Sequence, residues 1–362
     1  MTHSVVGKSI HDIETPALLL DLDASDQNIA RMASFFVDRH AKLRPHFKNH
    51  KCTKLAQRQL AAGSQVGMTC ANITEAEVLA SSGVKNILIA NQVVGKSKLE
   101  RLVQIADKCT MAVAVDNLSQ ATALSAAATH RNVVIDLLIE VDIGMGRCGV
   151  DPGKPTLLLA QQILDLPGTR FLGLQAYEVH CVYVNDFAKR SQQALQSMML
   201  GVETRQLLEE NGVQVDVLSG CCSANYQITG CLEGVDEVQA GTYATMDWRY
   251  HQLVPEFEIA LSILSTVISS RPNQVVLDVG AKGIGAEFGI PRIKNEPDIE
   301  IPFFGAEEHL VVRQIPAWQV GEKIEVHAIH ACTTCNLYPQ IFVHQQGHVV
   351  DVWPIDGRLG RG

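Results

Sequence analysis

No run of this chain approaches the ~20 consecutive apolar residues that a membrane-spanning helix needs, so no such helix is expected. Positive charge is not in excess either. With 30 Lys and Arg against 39 Asp and Glu, the net charge is -9, which argues against nucleic acid or an anionic membrane surface as the main partner. The opening Met1-Thr2-His3-Ser4 lacks a charged n-region and an apolar h-region, and the expected compartment is the cytoplasm. Ten cysteines outside a secretory context read as reduced thiols or metal ligands rather than a disulfide framework. No dinucleotide-binding glycine fingerprint follows the first apolar run, and no low-complexity linker or repeat divides the chain.

What is present is an alternation of short apolar runs and helical segments. Strands are expected at Thr15–Leu22, Ser64–Thr69, Asn86–Ile89, Met111–Val115, Val133–Val141, Phe171–Gln175, Val215–Leu218 and Asp236–Gln239. Helices fall between them, at about 25–40, 54–62, 74–82 (with Thr74 as a possible cap), 96–108, 119–129, 155–164 and 187–211. Units of this length favour an α/β fold, a (β/α)8 barrel, over an open doubly wound sheet. Beyond Trp248 the pattern turns to strands, at Ile259–Ile268, Gln274–Val279, Lys323–Ile329, Ile341–Val343 and His348–Val352. The expected organisation is therefore a barrel over 15–250 and a C-terminal all-β domain over 251–362, joined by residues 1–14.

Four motifs carry chemistry. In Arg44-Pro45-His46-Phe47-Lys48-Asn49-His50-Lys51, an extended backbone would put His46, Lys48 and His50 on one face. Neighbouring cations disfavour protonation of Lys48, and a neutral amine is what a Schiff-base lysine needs. Gly144-Met145-Gly146-Arg147-Cys148-Gly149-Val150 follows a strand, where a barrel carries its chemistry, so Arg147 is a candidate; pairing with a neighbouring acid is the plainer reading. Ser219-Gly220-Cys221-Cys222 ends another strand with small residues whose amides can approach an anion. His330-Ala331-Cys332, read as a strand, puts imidazole and thiolate on one face, suited to a zinc-like ion. Cys332-x-x-Cys335 is open to a zinc-knuckle or redox reading, but no second Cys-x-x-Cys completes such a site.

In these motifs and their order the chain resembles the fold type III pyridoxal-phosphate enzymes, which pair an alanine racemase-like barrel with a β-domain. Within them it is similar to the metal-activated D-threonine aldolases, D-3-hydroxyaspartate aldolases and D-serine dehydratases. The resemblance implies pyridoxal 5'-phosphate on Lys48, with His46, Arg147 and Tyr177 (in Gln175-Ala176-Tyr177) around it. It implies that Ser219, Gly220, Cys221, Gly241, Thr242 and Tyr243 hold the phosphate, although relatives carry glycines where Cys221 and Cys222 stand. It further implies a divalent ion (Zn, Mn or Mg) on His330 and Cys332, and a homodimer. Where the aldolases carry Gln-His this chain has Val182 and Tyr183, which leaves His180, with His50, as candidate catalytic groups beside Lys48 and Arg147. The implied activity is cleavage of a D-3-hydroxy amino acid to glycine and an aldehyde. Because His-x-Cys is the dehydratase pattern and His-x-Asp the aldolase one, elimination to a keto acid and ammonia is the alternative. A non-catalytic pyridoxal-phosphate carrier and an amino-acid racemase are further readings, neither of which needs the metal pair.

Overall fold

The computed structural model describes residues 5–63, 65–314 and 318–358, and the chain divides into two compact units. One takes in the residues up to 31, 49–58 and those from 242 onward; the other takes in 32–48 and 59–241. The start of the expected strand Ser64–Thr69 and the outer ends of the expected β-domain, 1–4 and 359–362, lie outside the described residues.

The chain opens with strand β1 (Ala17–Asp21) and helix α1 (Leu22–Phe35). Eight parallel strands then make the core of the second unit. They are β2 (Lys42–Leu43), β3 (Met68–Cys70), β4 (Asn86–Gln92), β5 (Thr110–Val115), β6 (Ile135–Val141), β7 (Thr169–Ala176), β8 (Val217–Gly220) and β9 (Glu237–Val238), in the order β2-β9-β8-β7-β6-β5-β4-β3. Parallel bridges Leu43↔Gln65 and His46↔Thr69 join the two ends of that order, so the strands run round as the expected barrel. Every residue of β6 is buried, as a strand covered on both faces must be. The helices between strands are α2 (Thr53–Ala61), α3 (Ile73–Ser81), α4 (Lys96–Ala106), α5 (Leu118–Arg131), α6 (Lys154–Leu164) and α7 (Phe187–Glu210). Asn72, not Thr74, caps α3 by accepting from the Glu75 amide at 3.0 Å; Asn117 and Asp186 do the same for α5 and α7.

Within the barrel Arg44 forms a buried bidentate pair with Glu237, Nε to Oε2 at 2.8 Å and Nη2 to Oε1 at 2.7 Å. Its third arm reaches Asn86 Oδ1 at 2.9 Å. Gly67 leaves room for that guanidinium. Its φ is +145°, and a Cβ there would stand 2.7 Å from Arg44 Nη1 and 2.5 Å from the Asn86 carbonyl oxygen.

The first unit is built on a mixed sheet. β1 pairs antiparallel with β10 (Leu261–Arg271) and parallel with β15 (Gln340–Gln345). β11 (Gln274–Leu277), β12 (Arg292–Ile293), β13 (Leu310–Arg313), β14 (Lys323–His327) and β16 (His348–Pro354) complete it. Thr15–Leu22, read as the first barrel strand, thus belongs to this sheet. A four-residue apolar run buried on both faces meets the demands of either position, and only the pairing separates them. The two-residue β12 and four-residue β13 carry too little pattern to be anticipated. Among the described residues no helix is long and apolar enough to cross a membrane.

Candidate active site

The segment around Lys48 is not extended throughout. β2 ends at Leu43, His46 bridges to Thr69, residues 47–50 turn, and Lys51 takes a left-handed φ of 54°. Alternation holds only for extended backbone, so the expected shared face is lost at the turn. His46 and Lys48 line one cavity, with the Lys48 amide donating to His46 Nδ1 at 3.4 Å. His50 falls in the other unit, buried, where its Nδ1 accepts from the Cys52 amide at 3.1 Å.

That cavity, of about 140 Å³, opens at the C-terminal ends of the barrel strands. Tyr177, just past β7, stands between the two cations. Lys48 Nζ lies 5.2 Å and Arg147 Cζ 5.6 Å from its ring centroid. Arg147 also pairs with buried Glu140, Nη2 to Oε1 at 3.2 Å. The acid pairing and the place at the cavity wall are therefore both true of it. Gln92 holds the other oxygen of Glu140 at 2.7 Å. Gln239, past the end of β9, donates to Gln175 Oε1 at 3.2 Å and to Ser219 Oγ at 2.9 Å, which fixes this part of the wall. Ala71, Ala90 and Asn91 complete the lining; none of them forms a motif in the sequence.

The loop after β8 is cramped. A Cβ on Gly220 would lie 1.8 Å from the Ala176 carbonyl oxygen, and one on Gly241 2.6 Å from that of His46. Both positions need glycine for the backbone to approach so closely. Cys221, in contrast, holds a left-handed φ of 66°, and its Sγ donates to the Cys222 carbonyl at 3.4 Å. Burial drives both thiols upward, away from the thiolate form that a nucleophile needs. Thr242 and Tyr243 begin the segment of the other unit, where the Tyr243 ring is buried 6.3 Å from Phe257. His180 does not line the cavity. It sits by the loop that carries Arg147, with Nε2 3.1 Å from Ser197 Oγ. Burial lowers its pKa, and the nearby Asp142 carboxylate acts the other way. An amine, a guanidinium and an aromatic ring around one cavity, next to glycine-closed loops, fit a phosphorylated aromatic aldehyde.

The first unit holds the other pair. His330 and Cys332 are not on a strand: His330 caps, and Cys332 lies in, the short helix Ala331–Leu337. Asp247 Oδ2 accepts from the Ala331 amide at 2.9 Å and Thr334 Oγ1 donates to the His330 carbonyl at 2.7 Å, which bends the chain there. The helical turn still brings imidazole and thiol together, and the two side chains hydrogen-bond. His330 Nδ1 is further held by Glu287 Oε2 at 3.3 Å and Thr333 Oγ1 at 3.2 Å, and Asn49 Nδ2 reaches Cys332 Sγ at 3.6 Å. Burial disfavours the charged imidazole, but Cys332, Asp247 and Glu287 together outweigh it and raise His330 to about 9. Burial lifts Asp247 to about 6 against its backbone hydrogen bonds. Among the described residues no three His, Cys, Asp or Glu side chains gather around one metal position, and Cys335 is buried and free. A His–Cys pair with an acid behind the imidazole is a donor set that would suit a zinc-type ion. Glu287 lies 43 residues before His330, a separation that no motif encodes.

Two family models match successive stretches of the chain. Residues 20–247 match the family model of the alanine racemase N-terminal domain, and residues 260–344 match a putative serine dehydratase domain. A D-threonine aldolase of Arthrobacter sp. is 37% identical over 361 residues, covering 97% of this chain and 94% of the relative. A 3-hydroxy-D-aspartate aldolase of Paracoccus denitrificans is 29% identical, covering 98% and 95%. The crystal structure of D-threonine aldolase from Filomicrobium marinum superposes with a TM-score of 0.95 at 34% identity, covering 99% of each chain.

Proposed function

The chain belongs to the fold type III pyridoxal-phosphate enzymes, the alanine racemase-like family with a serine dehydratase-type second domain, and we propose that it is a lyase cleaving D-3-hydroxy amino acids. The substrates are of the D-threonine or D-3-hydroxyaspartate kind, and the products are glycine and an aldehyde. The observation that carries this reading is the similarity to two such aldolases along nearly the whole chain.

In this reading the Lys48 amine would hold the cofactor, with His46 and Tyr177 among its binding residues, and Arg147 would supply positive charge at the cavity wall. Ser219, Gly220, Cys221, Gly241, Thr242 and Tyr243 would hold the phosphate. Pyridoxal phosphate, when bound, supplies the electron sink that makes a bond to the substrate's α-carbon labile. His330 and Cys332 would hold a divalent ion, which would supply Lewis-acid polarisation of the 3-hydroxyl, and the thiolate would favour zinc over manganese or magnesium. His180 and His50 stay the candidate catalytic groups of this reading, although neither lines the cavity of Lys48. The protein works in the cytoplasm as a homodimer.

The His-x-Cys pair favours a second reading, elimination to a keto acid and ammonia. Incubating the protein, loaded with pyridoxal phosphate and zinc or manganese, with D-threonine and D-3-hydroxyaspartate separates the two. Glycine with an aldehyde supports the aldolase. Ammonia with a keto acid overturns it.

A further inference from the structure

Beneath the loop that follows β8 lies a group of buried polar side chains with no part in the reaction as proposed. Glu178 follows Tyr177 and is fully buried. Its Oε1 accepts from Asn225 Nδ2 at 3.2 Å and from Thr229 Oγ1 at 2.7 Å. Its Oε2 has no hydrogen-bond partner, and neither has Oδ1 of Asn225, which is equally buried. The two planar groups are thus joined by one arm, while the other arm of each is an orphaned acceptor. Such atoms are rare in a protein interior, because nothing replaces the water they lost.

The groups acting most strongly on the Glu178 carboxyl are burial itself, Thr229, Asn225 and the backbone N–H groups of Glu178 and Cys221; none of them carries a full positive charge. The thiols of Cys181, Cys221 and Cys222 face it as well. Arg190, a cation that acts on Cys181, gives its Nη1 to the carbonyls of Val184 and Asn185. An ionised carboxylate here would be a buried charge whose strongest partners are all neutral. A protonated one has a donor for the orphaned oxygen.

We infer that Glu178 carries its proton on Oε2 and donates it to Asn225 Oδ1, closing a cyclic acid–amide pair that positions the Cys221–Asn225 loop against the end of β7. The pair uses both orphaned atoms at once. It also accounts for how Cys221 is kept at a φ of 66°, a conformation that a residue with a side chain holds only when its surroundings impose it. Because Tyr177 is the next residue, the same pair ties the loop to the wall of the cavity. Glu178 is a positioning residue here: it touches neither cofactor nor substrate. The proton assignment stands on this chain alone, whereas its consequence for the cofactor rests on the proposed use of the loop for phosphate.

Two measurements on the full chain test this. In infrared spectra of the cofactor-free protein at neutral pH, a protonated-carboxyl C=O band is expected in the wild type and is expected to vanish in Glu178→Gln. Its absence from the wild type overturns the inference. In absorbance titrations with pyridoxal phosphate, Glu178→Gln, which keeps one donor and one acceptor, is expected to retain wild-type affinity. Glu178→Leu is expected to weaken it about tenfold or more, as loss of an outer partner does at other sites. Equal loss in both variants shows that the carboxyl does not act as a neutral donor and overturns the pair. Unchanged affinity in Glu178→Leu overturns the positioning role. If the wild type itself binds no pyridoxal phosphate, the reading of the cavity has failed, and the infrared band still decides the pair.

Discussion

In the barrel, Lys48, Tyr177 and Arg147 stand just beyond strands whose backbones are held by a neighbour on each side. In the mixed-sheet unit, His330 and Cys332 stand on a seven-residue helix kept in place by Asp247, Glu287 and Thr333. The first arrangement draws its rigidity from ladder hydrogen bonds, which do not depend on side-chain identity. The second draws it from a few named side chains. Function in the barrel should therefore fail through the reacting group itself, and function in the other unit through the supports of its pair.

The largest effect is expected at Lys48. Lys48→Ala should remove the absorbance band of the bound cofactor and lower activity by about 10²–10⁴-fold, the range for losing a positioned catalytic group. A variant that keeps the band and turns over normally would refute the assignment. Next comes the barrel's internal ion pair. Arg44→Leu leaves Glu237 as an unpaired buried charge and should cost about 3–5 kcal/mol in urea denaturation. The double variant Arg44→Leu/Glu237→Leu should recover much of that loss. If both are equally unstable, packing of the guanidinium rather than charge pairing holds the strands.

The mixed-sheet unit should be the acid-sensitive one. Burial, assisted by Lys294, lowers His327 to about 4, so the fold keeps it neutral. The unfolded chain takes up that proton near pH 6.5, so the contribution is complete above that pH and drains away as pH falls toward about 4. Up to about 3 kcal/mol is at stake. His327→Gln should flatten stability against pH over this window, and an unchanged curve would place the acid sensitivity elsewhere. The smallest effect belongs to Glu287, which steadies the His330 ring. Glu287→Gln should weaken zinc binding about 10–100-fold while the cofactor band persists. Unaltered zinc affinity would mean that the pair does not depend on its supports, and the contrast between the two units would narrow.

Most of the barrel is legible from local pattern. The apolar run at β6 and the helical spacing of α3 and α5 mark element after element without reference to anything distant, although the cap of α3, read at Thr74, is Asn72. The cavity was legible in part. Lys48, His46, Arg147 and Tyr177 stand in motifs and do meet, while His50, in the lysine motif, and His180, three residues past Tyr177, do not line it. The turn at 47–50 is the reason for the first exception, because an alternation argument assumes extended backbone throughout. His330 and Cys332 come together although the strand expected there is a helix, since capping by Asp247 overrides the local reading.

The sequence by itself determined the succession of strands and helices, the lysine segment and the His-x-Cys spacing. Each depends on residues within a few positions of one another, where periodicity, caps and glycine act directly. Only the tertiary structure decided that β1 joins the mixed sheet, that Glu140 meets Arg147, that Glu287 reaches His330 and that Asn225 lies against Glu178. These are contacts made when strands choose partners and loops close. Chain spacing carries no record of that choice, because a buried apolar strand or a lone buried acid looks the same in sequence wherever it is finally packed.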